Sequence, residues 1–165
     1  ILGSGDSQLE KAILKATVKY PQHVSAHLGY DEALAHHIEA GADIFLMPSR
    51  FEPCGLNQIY SQRYGTVPVV RHTGGLVDTV TDTTTATLAD KTASGFSFQK
   101  TTAIALWSAI ERALDCYREP DTWEQIMRAG MKQDFSWKRS AQLYIELYET
   151  VLAQHTGKPV AESVP

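Results

Sequence analysis

Residues 42–75, ADIFLMPSRFEPCGLNQIYSQRYGTVPVVRHTGG, decide the fold predicted for this chain. Ile44–Met47 is a continuous apolar run, which is typical of a strand buried on both faces of a parallel sheet. Residues 57–64 can form a helix that ends at Gly65, and residues 67–70 are the next apolar run. The stretch therefore predicts a strand, a helix and a second strand in succession.

The same alternation continues on both sides. Upstream, Ser7 and Glu10 are spaced as a capping box and predict a helix, residues 24–28 predict a short strand, and Asp31 predicts the N-cap of a second helix. Downstream, residues 79–94 predict a surface loop and residues 95–98 a strand. Three more helices are expected. One covers residues 104–117, one begins at a capping box of residues 121–124, and the last follows an N-cap at Ser136. This order favours an α/β fold with a parallel sheet.

The composition fits an ordinary globular protein and narrows its function classes. The chain has 165 residues, of which 43% are hydrophobic and 21% charged, which fits one domain or one domain with a small appendage. Asp and Glu outnumber Lys and Arg by 19 to 15, so no nucleic-acid partner is expected. No apolar run reaches the roughly 18 residues of a membrane span, so no membrane partner is expected either. Two cysteines, Cys54 and Cys116, are too few for a disulfide framework and fit a reducing compartment.

The first residues predict a piece of a longer protein. The chain opens on Ile1 and Leu2 without an initiator Met, as though it were cut within a strand. Gly3 and Gly5 resemble the start of a dinucleotide-binding fingerprint, but Gln8 stands where the third glycine is required. Binding of a nicotinamide or flavin cofactor is therefore not expected.

Parallel sheets bind ligands beyond the carboxyl ends of their strands, and three loops lie at such ends in the predicted fold. They are Gly29-Tyr30, residues 48–56 and residues 71–76. In the second loop, the N–H groups of Gly55, Leu56 and Asn57 precede a helix and would be unpaired, which suits a phosphate.

Two interpretations of these loops remain open from the residues alone. Glu52 could accept hydrogen bonds from sugar hydroxyls or stabilise a developing positive charge, or it could be a solvated residue in a loop stiffened by two prolines. Thr73, Gly74 and Gly75 predict a turn, which is either pressed against a ligand or merely tight.

The sequence offers little support for a metal site or for a catalytic nucleophile. No His-Glu-x-x-His pattern occurs and Cys54 and Cys116 are far apart in sequence, so no metal site is expected. Cys54 could act as a nucleophile, but no particular histidine is placed beside it. A small residue packed near a ligand is the favoured interpretation of Cys54.

Residues 42–80, with their PSRFEPCGL and TGGL motifs, closely resemble bacterial glycogen synthase and plant starch synthase. Gly29-Tyr30, residues 95–98 and residues 134–137 resemble further signatures of the same family, in the same order. The resemblance implies a Rossmann-like parallel sheet flanked by helices, as the C-terminal half of a GT-B glycosyltransferase whose two such domains face each other across a cleft. Residues 1–152 would be its nucleotide-sugar-binding domain, lacking the first strand and helix, and residues 153–165 a flexible tail.

The same resemblance implies an activity. The enzyme would transfer glucose from ADP-glucose to the non-reducing end of an α-1,4-glucan with retention of configuration, using no metal or other cofactor. It would work in the bacterial cytoplasm, or in a plastid if the source is a plant. UDP-glucose instead of ADP-glucose, and starch instead of glycogen, remain open, as does a GT-B enzyme with a different donor or acceptor. A non-catalytic module that binds a nucleotide or glucan is the alternative from another class.

The resemblance also assigns roles to residues of this sequence. Glu52 would be the catalytic residue at the glucose, which the backbone of Cys54 would also contact, and Tyr30 would stack on the adenine. Gly55, Leu56 and Asn57 would hold the diphosphate, and the turn of Thr73, Gly74 and Gly75 would line the same pocket. Tyr60 stands where related enzymes often carry a second Glu, so ribose binding would be built differently. An N-terminal domain, as a further partner, would supply the acceptor side.

Overall fold

The structure, a computed structural model, describes residues 1–156. They belong to two compact units, the first of residues 1–131 and the second beginning at Lys132. The strands are β1 (Leu2–Gly3), β2 (His27–Leu28), β3 (Ile44–Met47), β4 (Val67–Arg71) and β5 (Phe96–Phe98). The helices are α1 (Ser7–Lys19), α2 (Glu32–Gly41), α3 (Asn57–Tyr64), α4 (Leu76–Thr79), α5 (Thr85–Ala89), α6 (Ala103–Tyr117), α7 (Pro120–Lys132) and α8 (Trp137–Thr156).

The strands form two parallel sheets among the described residues. One has the order β1-β2, and the other has the order β3-β4-β5, with Ile44 opposite Val67 and Val69 opposite Phe96. The predicted α/β class with parallel strands is confirmed. So are the bounds of β3 and of α3, whose C-cap Gly65 adopts the left-handed conformation (φ 86°) that the predicted stop at a glycine requires.

The main core lies between the larger sheet and helices α6 and α7. It includes Val67, Val69 and Phe96 from the sheet, with Ala109, Ala113, Trp123 and Ile126 from the helices. The expectation that β3 is buried on both faces is wrong, because Leu46 is 47% exposed. Within residues 1–156, β3 is an edge strand that pairs only with β4, and residues 67–70 of the central strand are the fully buried ones.

Helix starts account for most local differences from the prediction. Asp6 caps α1, since its Oδ1 accepts hydrogen bonds from the N–H groups of Gln8 and Leu9; Ser7 is already helical. Pro120 is the first residue of α7, because its fixed φ suits the first helical position, so the predicted cap Asp121 lies inside the first turn. The predicted strand of residues 24–28 is reduced to β2.

Residues 79–94 are not only a surface loop. They contain α5, which Thr84 and Thr87 open with a reciprocal capping box, and Thr83, Ala93 and Ser94 are buried. This helix is too short to show an apolar period, and its cap uses a Thr where the familiar signature has Glu or Gln.

The second unit consists, in the described residues, of α8 and the segment before it. The N–H of Ser136 donates to Asp134, and hydrogen bonds from Ser136 lower the pKa of that carboxyl. Ser136 Oγ in turn accepts from the N–H of Arg139 at 3.5 Å, as expected of a residue capping α8. Residues 153–156 of the expected tail are helical, and residues 157–165 lie outside the described part of the chain.

Candidate functional site

The loops that follow β3 and β4 lie side by side. Both strands are parallel, and Met47 at the end of one is opposite Val70 near the end of the other. Residues 48–56 and residues 72–75 therefore leave the sheet at the same edge, where the sequence predicted a ligand site. We call residues 48–56 the donor loop, after the donor substrate that the resemblance implies for it, and residues 72–75 the glycine turn.

The donor loop and the glycine turn touch through their backbones. The N–H of Gly75 lies 3.3 Å from the carbonyl oxygen of Glu52 and 3.1 Å from that of Pro53. A Cβ at Gly74, whose φ is +49°, would lie 1.7 Å from the Glu52 oxygen, and a Cβ at Gly75 would lie 2.4 Å from the Cys54 oxygen. Only glycine allows this approach, so the predicted turn is tight and is also pressed against the neighbouring loop.

The start of α3 presents unpaired N–H groups. Leu56 is the N-cap residue and provides no side-chain cap. Within residues 1–156, the N–H groups of Gly55, Leu56 and Asn57 have no hydrogen-bond acceptor. Leu56 and Asn57 are exposed and Gly55 is partly exposed. These donors and the positive end of the helix dipole suit an anion such as a phosphate.

Glu52 is half-buried at the centre of the donor loop. Its Oε2 lies 3.5 Å from the hydroxyl of Ser49, which is long for a hydrogen bond. The carboxylate can therefore accept hydrogen bonds from other groups. Arg71 braces the beginning of the loop, since its guanidinium donates to the carbonyl oxygens of Ser49, at 2.6 Å, and Arg50. The Cys54 side chain is exposed.

Tyr30 belongs to a different part of the first unit. It follows β2 in the smaller sheet and is 87% exposed. The N–H of Gly29 donates to the carbonyl oxygen of Gly3, which holds the chain to the end of β1. In the described chain, no hydrogen bond or ring contact joins Tyr30 to the donor loop or the glycine turn. Tyr60 contacts the His36 ring of α2 at a centroid distance of 5.3 Å.

Gln58, the second residue of α3, is a residue of this site that the sequence did not predict. This side chain is fully buried, and its Nε2 lies 3.1 Å from each of three oxygens: the carbonyls of Cys54 and Gly55 and the hydroxyl of Thr79. No local signal could have found it, because the oxygens around its Nε2, from Cys54, Gly55 and Thr79, come together only in the folded protein.

Residues 1–156 contain no group of three or more His, Cys, Asp or Glu side chains arranged to hold a metal ion. Among the helices of this part of the chain, none is both long and apolar enough to cross a membrane.

Comparison with known proteins finds glycogen synthases among the relatives of this chain. A glycogen synthase from Thioalkalivibrio sulfidiphilus is 56% identical over 153 residues, which is 93% of this chain and 32% of that protein. Glycogen synthase 1 from Methylococcus capsulatus is 55% identical over 98% of this chain and 33% of its own length. The chain thus spans about a third of the length of these relatives.

Solved structures and a family model agree with these relatives. The catalytic domain of starch synthase IV from Arabidopsis thaliana, bound to ADP and acarbose, superposes with a TM-score of 0.76 at 38% identity, covering 88% of this chain and 30% of that one. Sucrose-phosphate synthase from Thermosynechococcus elongatus shares the fold, with a TM-score of 0.62 at 23% identity over 93% of this chain and 38% of its own. The model of the family described as glycosyl transferases group 1 matches residues 1–129. This chain belongs to the group 1 glycosyl transferase family.

Proposed function

We propose that this chain is the donor-binding part of a glycogen synthase, which transfers glucose from ADP-glucose to the non-reducing end of an α-1,4-glucan with retention of configuration. The observation that carries the proposal is the set of unpaired N–H groups at Gly55, Leu56 and Asn57 beside Glu52. The 56% identity to a glycogen synthase and the likeness to a starch synthase bound to ADP support the choice of reaction.

The donor loop suits the charges that this reaction creates. Breaking the bond between glucose and phosphate leaves negative charge on the diphosphate and positive charge on the sugar. The N–H groups at the start of α3 would stabilise the first, and the Glu52 carboxylate would stabilise the second. The acceptor hydroxyl would attack from the face that the diphosphate leaves, which retains the configuration.

The other predicted site residues would lie around the same nucleotide sugar. The backbone of Cys54 would contact the glucose, the glycine turn of Thr73, Gly74 and Gly75 would line the pocket, and Tyr30 would stack on the adenine. The donor is a substrate, and no resident cofactor or metal is part of the proposal. An N-terminal domain of the same enzyme would supply the binding site for the acceptor glucan. The Arg and Lys that hold the diphosphate would come from the first strand and helix that the family has in this domain. The bacterial relatives favour the cytoplasm as its location.

A glucan-extension assay tests the proposal. The complete protein that carries this chain is incubated with glycogen and either ADP-glucose or UDP-glucose labelled in the glucose. We expect label in the glycogen from ADP-glucose, at a rate that Glu52→Gln strongly lowers. Efficient transfer from UDP-glucose alone would overturn the choice of donor, and no transfer from either would overturn the function.

A further inference from the structure

We propose that Gln58 is a positioning residue that orients the N–H groups of the donor loop toward the ligand and ties that loop to the glycine turn. The inference rests on the proposed function only for the identity of the ligand. Its physical basis is the set of contacts that one buried amide makes.

The Gln58 amide serves two segments at once. Its Nε2 lies 3.1 Å from the carbonyl oxygens of Cys54 and Gly55, in the donor loop, and 3.1 Å from Thr79 Oγ1. Thr79 Oγ1 in turn donates to the carbonyl oxygen of Gly75 at 2.8 Å. The side chain of Gln58 is fully buried, so these bonds replace hydration that it has lost.

These contacts fix which end of the amide faces the loop. Three acceptor oxygens surround Nε2, whereas Oε1 is buried without a partner. Exchanging the two ends would bring an oxygen against the same carbonyls, which is repulsive, so the network assigns the NH₂ to the loop. Gly55 has a φ of +75°, which disfavours a side chain, and a Cβ there would lie 2.5 Å from Oε1 and displace the amide.

Holding the two carbonyls also orients two N–H groups. In a trans peptide the C=O and the following N–H point in opposite directions, and no cis peptide is present in the described residues. The carbonyls of Cys54 and Gly55 point toward the buried Gln58. The N–H groups of Gly55 and Leu56 therefore point away from it, and both are unpaired in the part of the chain that the structure describes.

Thr66 provides a matched control for a purely structural role. Thr66 follows the C-terminal end of α3 and is 1% exposed, and its single O–H is shared between the carbonyl oxygens of Glu39 and Ala42. Both residues are thus buried donors whose polar hydrogens face backbone carbonyls. Only Gln58 contacts the donor loop.

The kinetic test compares Gln58→Met with Thr66→Val in the complete protein. Both changes remove a buried donor, so both should lower the midpoint of thermal unfolding. We expect Gln58→Met to lower kcat/KM for ADP-glucose by about 100-fold, the scale of a 1 Å misplacement. We expect Thr66→Val to leave kcat/KM near that of the unmodified protein. Equal losses of kcat/KM in the two variants would overturn the positioning role.

Thr79 supplies a second pair of variants in case Gln58→Met does not fold. Thr79→Val removes the hydroxyl that links Gln58 to Gly75, whereas Thr79→Ser keeps it. Serine should restore kcat/KM that valine lowers by about tenfold, the scale of one or two lost hydrogen bonds. Equal activity of the two Thr79 variants would contradict the link to the glycine turn.

Hydrogen exchange tests the inference in the absence of ADP-glucose. In the unliganded protein, the hydrogen-bonded amides of Ile59, Tyr60, Gly75 and Val77, which pair with carbonyls of the two segments, should exchange faster in Gln58→Met than in Thr66→Val, because the two segments lose their common anchor. Equal exchange at these amides would overturn the inference even if ADP-glucose proved to be a substrate. Conversely, an unmodified protein that transfers no glucose would refute the proposed function, while the exchange data would still decide the role of Gln58.

Discussion

Replacing Gly74 with alanine perturbs the contact on which the candidate site depends. The new Cβ would lie 1.7 Å from the Glu52 carbonyl oxygen, where ordinary van der Waals contact begins at 3.4 Å. The obstacle is backbone on both sides, so no flexible side chain can swing away. The donor loop and the glycine turn must move apart.

The size of the effect follows from what this separation breaks. The N–H of Gly75 loses the bifurcated hydrogen bond that it shares between the carbonyl oxygens of Glu52 and Pro53, at 3.3 and 3.1 Å, for about 1 kcal/mol in total. Alanine at the φ of +49° adds about 1–2 kcal/mol of backbone strain. The sum is about 2–3 kcal/mol of stability, and a displaced Glu52 should lower kcat/KM by roughly 100-fold.

Gly41→Ala is the control for this prediction. Gly41 ends α2, has no positive φ, and would have no other atom within 4 Å of an added Cβ, so alanine there should be neutral or stabilise by about 0.4–1 kcal/mol. Thermal unfolding and glucan-extension kinetics of the complete protein measure both variants. If Gly74→Ala matches Gly41→Ala in both measurements, the backbone contact between the loops does not exist as described.

Four further predictions concern the same site. Glu52→Ala should lower kcat by roughly 100-fold or more, the scale of losing one electrostatic stabiliser, and a near-normal kcat would refute its catalytic role. Cys54→Ser should keep substantial activity, because the contact proposed there comes from the backbone; a folded but inactive variant would show that the thiol matters. Tyr30→Ala should weaken ADP-glucose binding by about 1–3 kcal/mol, seen mainly as a higher KM, and an unchanged KM would rule out stacking on the adenine. The 165-residue chain by itself should extend no glucan, and measurable extension would mean that the acceptor site lies within it.

Local sequence signals were sufficient where a short stretch determines its own structure. Ile44–Met47 lies between Gly41 and Pro48, and Asn57–Tyr64 ends at a glycine that can adopt positive φ; both elements have the predicted bounds. Asp31 caps α2 as predicted, because a carboxylate before an apolar period needs no distant partner to cap a helix.

Features that depend on distant partners were not predictable in this way. The approach of Gly74 to Glu52 requires the register between β3 and β4, which no local pattern encodes. Gln58 resembles any polar residue of a helix until Cys54 and Thr79 are placed around it. The roles proposed for Glu52 and Tyr30 stay predictions, since they concern a ligand and not the fold.

The division of the first unit into two sheets has a consequence for binding thermodynamics. Tyr30 follows the β1-β2 sheet, and residues 1–30 include no buried residue, whereas the donor loop is anchored on the well-packed β3-β4-β5 sheet. A nucleotide sugar held by both would bridge the sheets, so its binding and the local order of residues 1–30 would be linked equilibria. Part of the binding free energy at the base would then be offset by the cost of ordering residues 1–30. The sugar and diphosphate would instead bind the donor loop, which the larger sheet already holds in place.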